Sequence, residues 1–307
     1  MDVVVCGSLN MDLVARVATL PRPGETVAGR GLQRLPGGKG LNQAVAAARM
    51  GAKVAMIGAR GDDADGATLE GLLAAEGIDT CGVLRRRPDA DSATTAVHTG
   101  LAQVMVADDG ENAIIVHGGA NASLTPDEVR TALAALPHAG VAIAQLETPP
   151  ATVAAFLGAA RARGMRTLLN TAPALPDTRD LLALADIVVL NETELAHYAG
   201  APSPAVGDAY AALARRLLDR ADQTIIVTLG AQGALCVTAD EESHLAAPRV
   251  EVRDTTGAGD CFCGVLAAMS AQGYALAQAL PQAVKAASLA VTRVGAAPSM
   301  PRAAELV

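Results

Sequence analysis

Short runs of consecutive apolar, largely β-branched residues recur along this chain, each followed by a longer stretch rich in Ala and Leu. The runs occupy residues 3–6, 54–57, 141–145, 167–170, 187–190, 224–228 and 234–237. They are continuously apolar rather than alternating, which is the pattern of strands covered on both faces in a parallel sheet. The stretches between them, residues 41–50, 67–76, 149–163, 208–220 and 260–272, predict helices. Strand and helix in alternation predict an α/β fold: three layers, α/β/α, around a doubly wound, mostly parallel sheet.

Two stretches break the rhythm. Residues 13–34 and 93–117 alternate polar and apolar positions around the turn signals Pro21-Arg22-Pro23-Gly24 and Asp108-Asp109-Gly110-Glu111-Asn112. They predict a small, discontinuous β-lid from about residues 12–36 and 94–117 on a single domain spanning 1–307. Residues 113–117 are also compatible with a place in the main sheet.

Composition narrows the function. At 51% hydrophobic and 18% charged over 307 residues, the chain predicts a folded globular protein. The formal net charge of -8 comes with no basic tail. The run Arg85-Arg86-Arg87, followed by Pro88, Asp89 and Asp91, reads as a solvated loop, and nucleic-acid binding needs a broader basic footprint. Cys6, Cys81, Cys236, Cys261 and Cys263 have no paired spacing and predict reduced thiols in the cytosol. The amino terminus lacks the features of an export signal, and no run reaches the roughly 18 apolar residues of a membrane helix. A cytoplasmic protein is expected, and the sequon Asn121-Ala122-Ser123 is then a chance match.

No Walker-type GxxxxGK[ST] is present, no GxGxxG follows the first strand, and no GxSxG elbow exists. Two other glycine motifs stand at predicted helix starts. Gly37-Gly38-Lys39-Gly40-Leu41-Asn42-Gln43 lets backbone approach a small ligand, and Asn42 offers a donor and an acceptor suited to a hydroxyl. A flexible loop is the other reading of this turn. Asp254-Thr255-Thr256-Gly257-Ala258-Gly259-Asp260 predicts an anion hole from the amides of Gly257, Ala258 and Gly259 at the positive end of a helix. Asp260 at its edge is placed to take a proton as general base, although a simple N-cap would look similar.

The two motifs in this order resemble those of the ribokinase-like, phosphofructokinase-B-type carbohydrate kinases: GGxGxN with Gly51 and Gly61 beyond it, then DTTGAGDxFxxG over Asp254 to Gly264. Gly7-Ser8-Leu9-Asn10-Met11-Asp12, Pro23-Gly24-Glu25-Thr26, Gly118-Gly119-Ala120-Asn121, Gln145-Leu146-Glu147 and Asn191-Glu192-Thr193-Glu194 extend the resemblance over nearly the whole length. It implies a ribokinase-like fold and ATP-dependent phosphorylation of a sugar, with the primary 5-hydroxyl of D-ribose the first expectation. It also implies a sugar pocket of Asn10, Asp12, Gly38, Lys39, Gly40, Leu41, Asn42 and Glu147, with Asp260 as base. Asn191 and Glu194 would organise Mg²⁺ and phosphates, largely through water, and the turn Thr228-Leu229-Gly230-Ala231-Gln232-Gly233 would meet the nucleotide together with Gly259. An activating K⁺ is implied at Asp254, Thr256, Ala290, Arg293, Gly295 and Ser299, and a homodimer through the lid.

Two departures stand out. The segment 80–98 is several residues longer than the family pattern, and a position near the adenine that often carries Asn or His is Val284. Other readings are a kinase for deoxyribose, fructose or a keto-deoxy acid, a nucleoside kinase, and a silent sugar-binding regulator. A nucleoside kinase stacks its base on aromatics, yet no aromatic residue precedes Phe156. A regulator would be expected to have lost Asp260 or the glycines beside it.

Overall fold

The structure, a computed structural model, describes residues 1–87, 97–109, 111–201 and 209–306. In chain order its strands are β1 Val3–Cys6, β2 Asn10–Val17, β3 Gly31–Gly37, β4 Val54–Gly61, β5 Asp79–Arg86, β6 Gly100–Ala107, β7 Asn112–His117, β8 Val141–Ala144, β9 Arg166–Asn170, β10 Ile187–Asn191, β11 Thr224–Thr228, β12 Ala234–Val237 and β13 Glu242–Leu245. The helices are α1 Lys39–Arg49, α2 Ala64–Ala75, α3 Pro126–Ala135, α4 Pro150–Ala162, α5 Glu192–Ala199, α6 Ala209–Arg215, α7 Ala258–Ala271 and α8 Leu276–Ala290.

Nine strands form the main sheet in the order β13-β12-β11-β10-β9-β8-β1-β4-β5. Within β1 the side chains alternate between two cores. Val3 and Val5 pack with α1, α2, α7 and α8, whereas Val4 and Cys6 pack with α3 to α6. Both faces are therefore covered, which is why the strand is apolar at every position. From β11 to β5 the neighbours run parallel. Strand β12 is antiparallel to β11: only residues 229–233 join them, and a parallel return needs a crossover of a dozen or more residues. Leaving β1, the chain builds β4 and β5 on one side and β8 to β11 on the other. The winding reverses at β1 and β8, and the crevice at their carboxyl ends is where ligands bind in such sheets.

A second sheet, in the order β3-β2-β6-β7, rises over that crevice. Here β7 pairs antiparallel with β6, Gln103 opposite Ile115 and Val104 opposite Ile114. The alternative place for residues 113–117 in the main sheet is thereby excluded: the short turn after Ala107 returns the chain onto β6. The polybasic run is also corrected. Arg85 and Arg86 end strand β5 rather than lying in a solvated loop, and they pair with Asp62 and Glu128. Pro88, Asp89 and Asp91 lie outside the described residues, as do Gly110 and Asp208. The sequon is closed to modification, since Asn121 is 1% exposed and bonded to Leu9 and Asn10. No helix among the described residues is long and apolar enough to cross a membrane.

The last turn of α1 holds the segment after α8. The Arg49 guanidinium donates to the carbonyls of Ala297 (3.1 Å), Pro298 (3.3 Å) and Met300 (2.6 Å) and pairs with a nearly buried Glu76. The Arg49 hydrogen bonds outweigh burial and hold the Glu76 carboxyl below its ordinary 4.5. Arg49→Met leaves that carboxylate with the longer Arg302 contact at 3.4 Å and should cost about 3 kcal/mol in urea unfolding at pH 7. A depressed carboxyl stabilises fully above its unfolded pKa and loses this as pH falls through the folded one. The gap between wild type and variant should therefore close below about pH 4.

Candidate active site

Beyond β1 the chain runs through Gly7, where any side chain would collide: a Cβ would lie 2.0 Å from Gln145 Oε1 and 2.8 Å from Gly40 Cα. The end of β1, the start of α1 and the end of β8 are thus pressed together at the reversal of the sheet. Gly38 makes the entry to α1 at φ +90°, and a Cβ there would lie 2.8 Å from the Asn10 nitrogen. The first amides of α1 are already committed. Lys39 N–H donates to Glu147 (3.0 Å), Gly40 N–H to Ser8 Oγ (3.3 Å) and Leu41 N–H to the Ser8 carbonyl (3.0 Å), while the Ser8 hydroxyl donates to Glu147. The next two side chains, Asn42 and Gln43, each donate to Asp260 at 2.9 Å, one to each carboxylate oxygen.

Asp260 stands in the first turn of α7, whose N-cap Gly257 is left-handed at φ +76°. Ala258 N–H is not a free donor, because it closes a turn on the Thr255 carbonyl at 3.2 Å. The N–H groups of Gly257, Gly259 and Asp260 have no acceptor within the described chain. The anion hole expected from Gly257, Ala258 and Gly259 is thus better drawn with Asp260 N–H in place of Ala258 N–H.

Two cavities open on this point. One, of about 480 Å³, is lined by Asn170, Asn191, Glu194, Thr228, Gly230 and the start of α7. The other, of about 450 Å³, lies under the small sheet between Asn10, Asp12, Asn42, Glu147 and the apolar Val104, Ile114 and Val116. Lys39, Thr255, Gly257 and Asp260 line both.

Most expected sugar-pocket residues face the second cavity: Asn10, Asp12, Gly38, Lys39, Asn42, Glu147 and Asp260. Gly40 and Leu41 do not. Gly40 packs on Gly7, and the Leu41 side chain is wholly in the core. Of the nucleotide turn, Thr228 and Gly230 reach the first cavity. Leu229 is buried in the core, Ala231 and Gln232 are exposed, and Gly233 abuts the Leu245 carbonyl. Asn191 and Glu194 form a reciprocal capping box on α5, at 2.8 and 2.9 Å. In the segment assigned to a cation, Asp254 accepts from Thr256 N–H (2.9 Å) and Gly295 N–H (2.8 Å). The Ala290 carbonyl accepts from Arg293 N–H, the Arg293 guanidinium pairs with Glu305, and Ser299 bonds the Ala296 carbonyl. Val284 is buried in the core of α8. Sequence reading passed over Ser8, Gln43, Gln145 and Asn170. Ser8, Gln43 and Gln145 stand inside the quoted motifs without a role assigned to them, and Asn170 is marked only by polarity at the carboxyl end of an apolar strand.

The electrostatics are unusual for a buried site. Burial, then the charges of Glu147 and Asp260, raise the Asp12 carboxyl to about 7. Burial raises Asp260 as well, opposed by Lys39 and the amides of Asn42 and Gln43. Lys39 is lowered by burial but ends above its ordinary value because Asp260, Glu147 and Glu194 surround it. Burial also raises Glu194. Asp254 is lowered, since its hydrogen bonds outweigh the effect of burial. A lysine and free α7 amides where the cavities meet, beside carboxylates that can accept from hydroxyls, suit phosphoryl transfer to an alcohol.

Residues 1–303 match the model of the pfkB family carbohydrate kinases. The chain belongs to that family. It is 38% identical to a ribokinase of Staphylococcus aureus, over 97% of this chain and 96% of the relative. It is 36% identical to a deoxyribokinase of Salmonella typhi, over 98% and 96%. An Arabidopsis thaliana ribokinase structure, complexed with ribose and ATP, superposes with a TM-score of 0.82 at 31% identity, covering 99% and 97% of the two chains. This pfkB-family chain is accordingly a kinase that phosphorylates an alcohol group on a ribokinase-like fold.

In such a kinase the left-handed turn at Gly257 sets the α7 amides. A Cβ there would lie 3.0 Å from Ala296 Cβ and 3.1 Å from its Cα, on a backbone conformation that side chains resist. Gly257→Ala should lower kcat by about 100-fold through a displaced amide, while the far-ultraviolet circular dichroism is unchanged.

Proposed function

We propose that this protein transfers the γ-phosphoryl group of ATP to the primary 5-hydroxyl of D-ribose, giving D-ribose 5-phosphate and ADP. The observation that carries this reading is the junction of the two cavities at Lys39, Gly257 and Asp260. A hydroxyl in one faces a phosphate in the other across a buried carboxylate. As the new O–P bond forms and the β–γ bridge breaks, the hydroxyl proton passes to Asp260. The amides at the start of α7 and Lys39 meet the charge that develops.

The size and lining of the second cavity favour a small polyol. Asp12 has no hydrogen-bond partner in the described chain, and its carboxylate can accept from two adjacent hydroxyls. The relatives include a deoxyribokinase as well as ribokinases, so the hydroxyl opposite Asp12 decides between the two sugars. A nucleoside substrate is disfavoured, because no aromatic ring lines either cavity.

The residues fit magnesium brought in with the nucleotide. No cluster of three or more acidic, His or Cys side chains among the described residues forms a protein cage for a metal. Carboxylates Asp12, Glu147, Glu194 and Asp260 surround the single Lys39, so a triphosphate needs its own counter-charge. Mg²⁺, when bound, supplies that charge, with Asn191 and Glu194 holding its water shell. We place the activating monovalent cation beside the ionised Asp254 carboxylate, which accepts from the Thr256 and Gly295 N–H groups. K⁺ there would steady the Gly257 turn. The small sheet of β2, β3, β6 and β7 covers the cavity assigned to the sugar. Leu32 and Ile115, 69% and 51% exposed, give it an apolar outer face for a second copy in a homodimer. Free thiols throughout suit the cytosol.

ADP release from MgATP tests the assignment. D-Ribose should support turnover well above 2-deoxyribose, fructose and adenosine, and K⁺ should raise it. Faster turnover with another of these moves the specificity away from ribose. Sugar binding should also fix Asp12 in its ionised form. Since its carboxyl is raised to about 7, ribose should bind with proton release near neutral pH, seen by calorimetry in buffers of different ionisation enthalpy. Proton-neutral binding would remove Asp12 from the ribose contact.

A further inference from the structure

Gln43 is wholly buried next to the residues assigned to the sugar, and nothing in the reaction as described employs it. Its Nε2 donates to Asp260 Oδ1 at 2.9 Å and to Asn170 Oδ1 at 3.2 Å. Its Oε1 accepts from Gln145 Nε2 at 2.7 Å. Asn170 in turn donates to the Val189 carbonyl at 3.2 Å. Gln145 is also wholly buried, and its own Oε1 presses on Gly7 with no donor of its own.

The chain of amides has one direction. A backbone carbonyl can only accept, so Asn170 turns its NH₂ toward Val189 and its oxygen toward Gln43. Gln43 must then present its NH₂ to Asn170 and its oxygen to Gln145. The same NH₂ therefore faces Asp260. With Asn42 Nδ2 on Oδ2 at 2.9 Å, each oxygen of Asp260 accepts from an amide, and the amide on Oδ1, that of Gln43, is the one whose direction is fixed. A proton on Asp260 Oδ1 finds no acceptor in Gln43, while the carboxylate itself lines both cavities.

We propose that Gln43, locked by Gln145, is a positioning residue that holds Asp260 as an ionised carboxylate with its open lone pair aimed at the acceptor hydroxyl. The inference rests on the reading of Asp260 as general base. Other groups around Asp260 are Lys39 on α1, Asp12 on β2, Glu147 after β8, Glu194 on α5, and Cys261 and Cys263 on α7. None of them is bonded to either Gln43 or Gln145, so altering the two glutamines leaves those charges in place.

The experiment is the pH dependence of kcat at saturating ribose and MgATP, where the sugar already holds Asp12 ionised. Wild type should show an acidic limb from the base. In Gln43→Met, which keeps the length but removes the donor, the limb should move up by about one pH unit. Gln145→Met leaves every group that touches Asp260 intact, and it should move the limb in the same direction by less. The double variant should move it no further than Gln43→Met alone, because Gln145 acts through Gln43. A uniform fall in kcat at every pH, with the limb unmoved in both single variants, would assign the glutamines to packing and overturn the inference. A wild-type profile with no acidic limb would instead overturn the reading of Asp260 as base. Should Gln43→Met fail to fold, Gln145→Met decides alone: a shifted limb supports the proposal and an unshifted one rejects it.

Discussion

Asp260 is a carboxylate 6% exposed at the start of a helix, and most of the site can be understood as what keeps it there. Burial favours its neutral form. Two amide donors from α1 and a lysine on the same turn oppose that effect. These donors reach Asp260 only because the start of α1 is drawn tight against the end of β1 by Gly7, Gly38 and Gly40, three positions where a Cβ would collide with backbone or Gln145. Helix α7 reaches the same point from the other direction. Its turn at Gly257 rests on Ala296, in the segment that Arg49 at the far end of α1 clasps. One helix therefore orients the carboxylate with its first turn and supports the neighbouring amide cradle with its last.

The balance of charge follows from that arrangement. A sugar is held by acceptors and a triphosphate by donors, and the two must lie side by side. In the proposed function the carboxylates Asp12 and Glu147, which line one cavity, would serve the first need, and Lys39 and the open amides of α7, where the cavities meet, the second. Asp260 stands between them and belongs to both. The cost is visible in the raised carboxyls of Asp12, Glu194 and Asp260, which burial lifts first and neighbouring acids lift further. On the proposed function, occupation of the site would relieve it: hydroxyls would favour the ionised acids, and a metal bound with the nucleotide would counter their field.

Much of this was legible in the sequence, because strands buried on both faces are apolar throughout and glycine motifs at helix starts are local. The parallel core strands lay within a residue or two of their predicted starts. Strand β5 was not legible, since Asp79–Arg86 carries polar residues at its ends and pairs on one edge only. Helix α8 was obscured by Pro281, which it accommodates on an exposed face, and α3 by its brevity despite the Thr125–Glu128 capping box. Non-local features escaped for a different reason. That Ala258 N–H is consumed by Thr255, that Leu41 and Leu229 turn into the core, and that Gln43 meets Asn170 and Gln145 depend on segments more than a hundred residues apart or on turn geometry that residue types do not encode.

The account turns on Asp260 taking the proton of the acceptor hydroxyl, and the most direct test is single-turnover phosphoryl transfer by Asp260→Asn together with ribose binding measured by calorimetry. Asparagine keeps the shape and cannot accept the proton. The account predicts ribose affinity within a few-fold of wild type and a transfer rate lower by about 10³-fold or more. A transfer rate within tenfold of wild type, with ribose still bound, would contradict it.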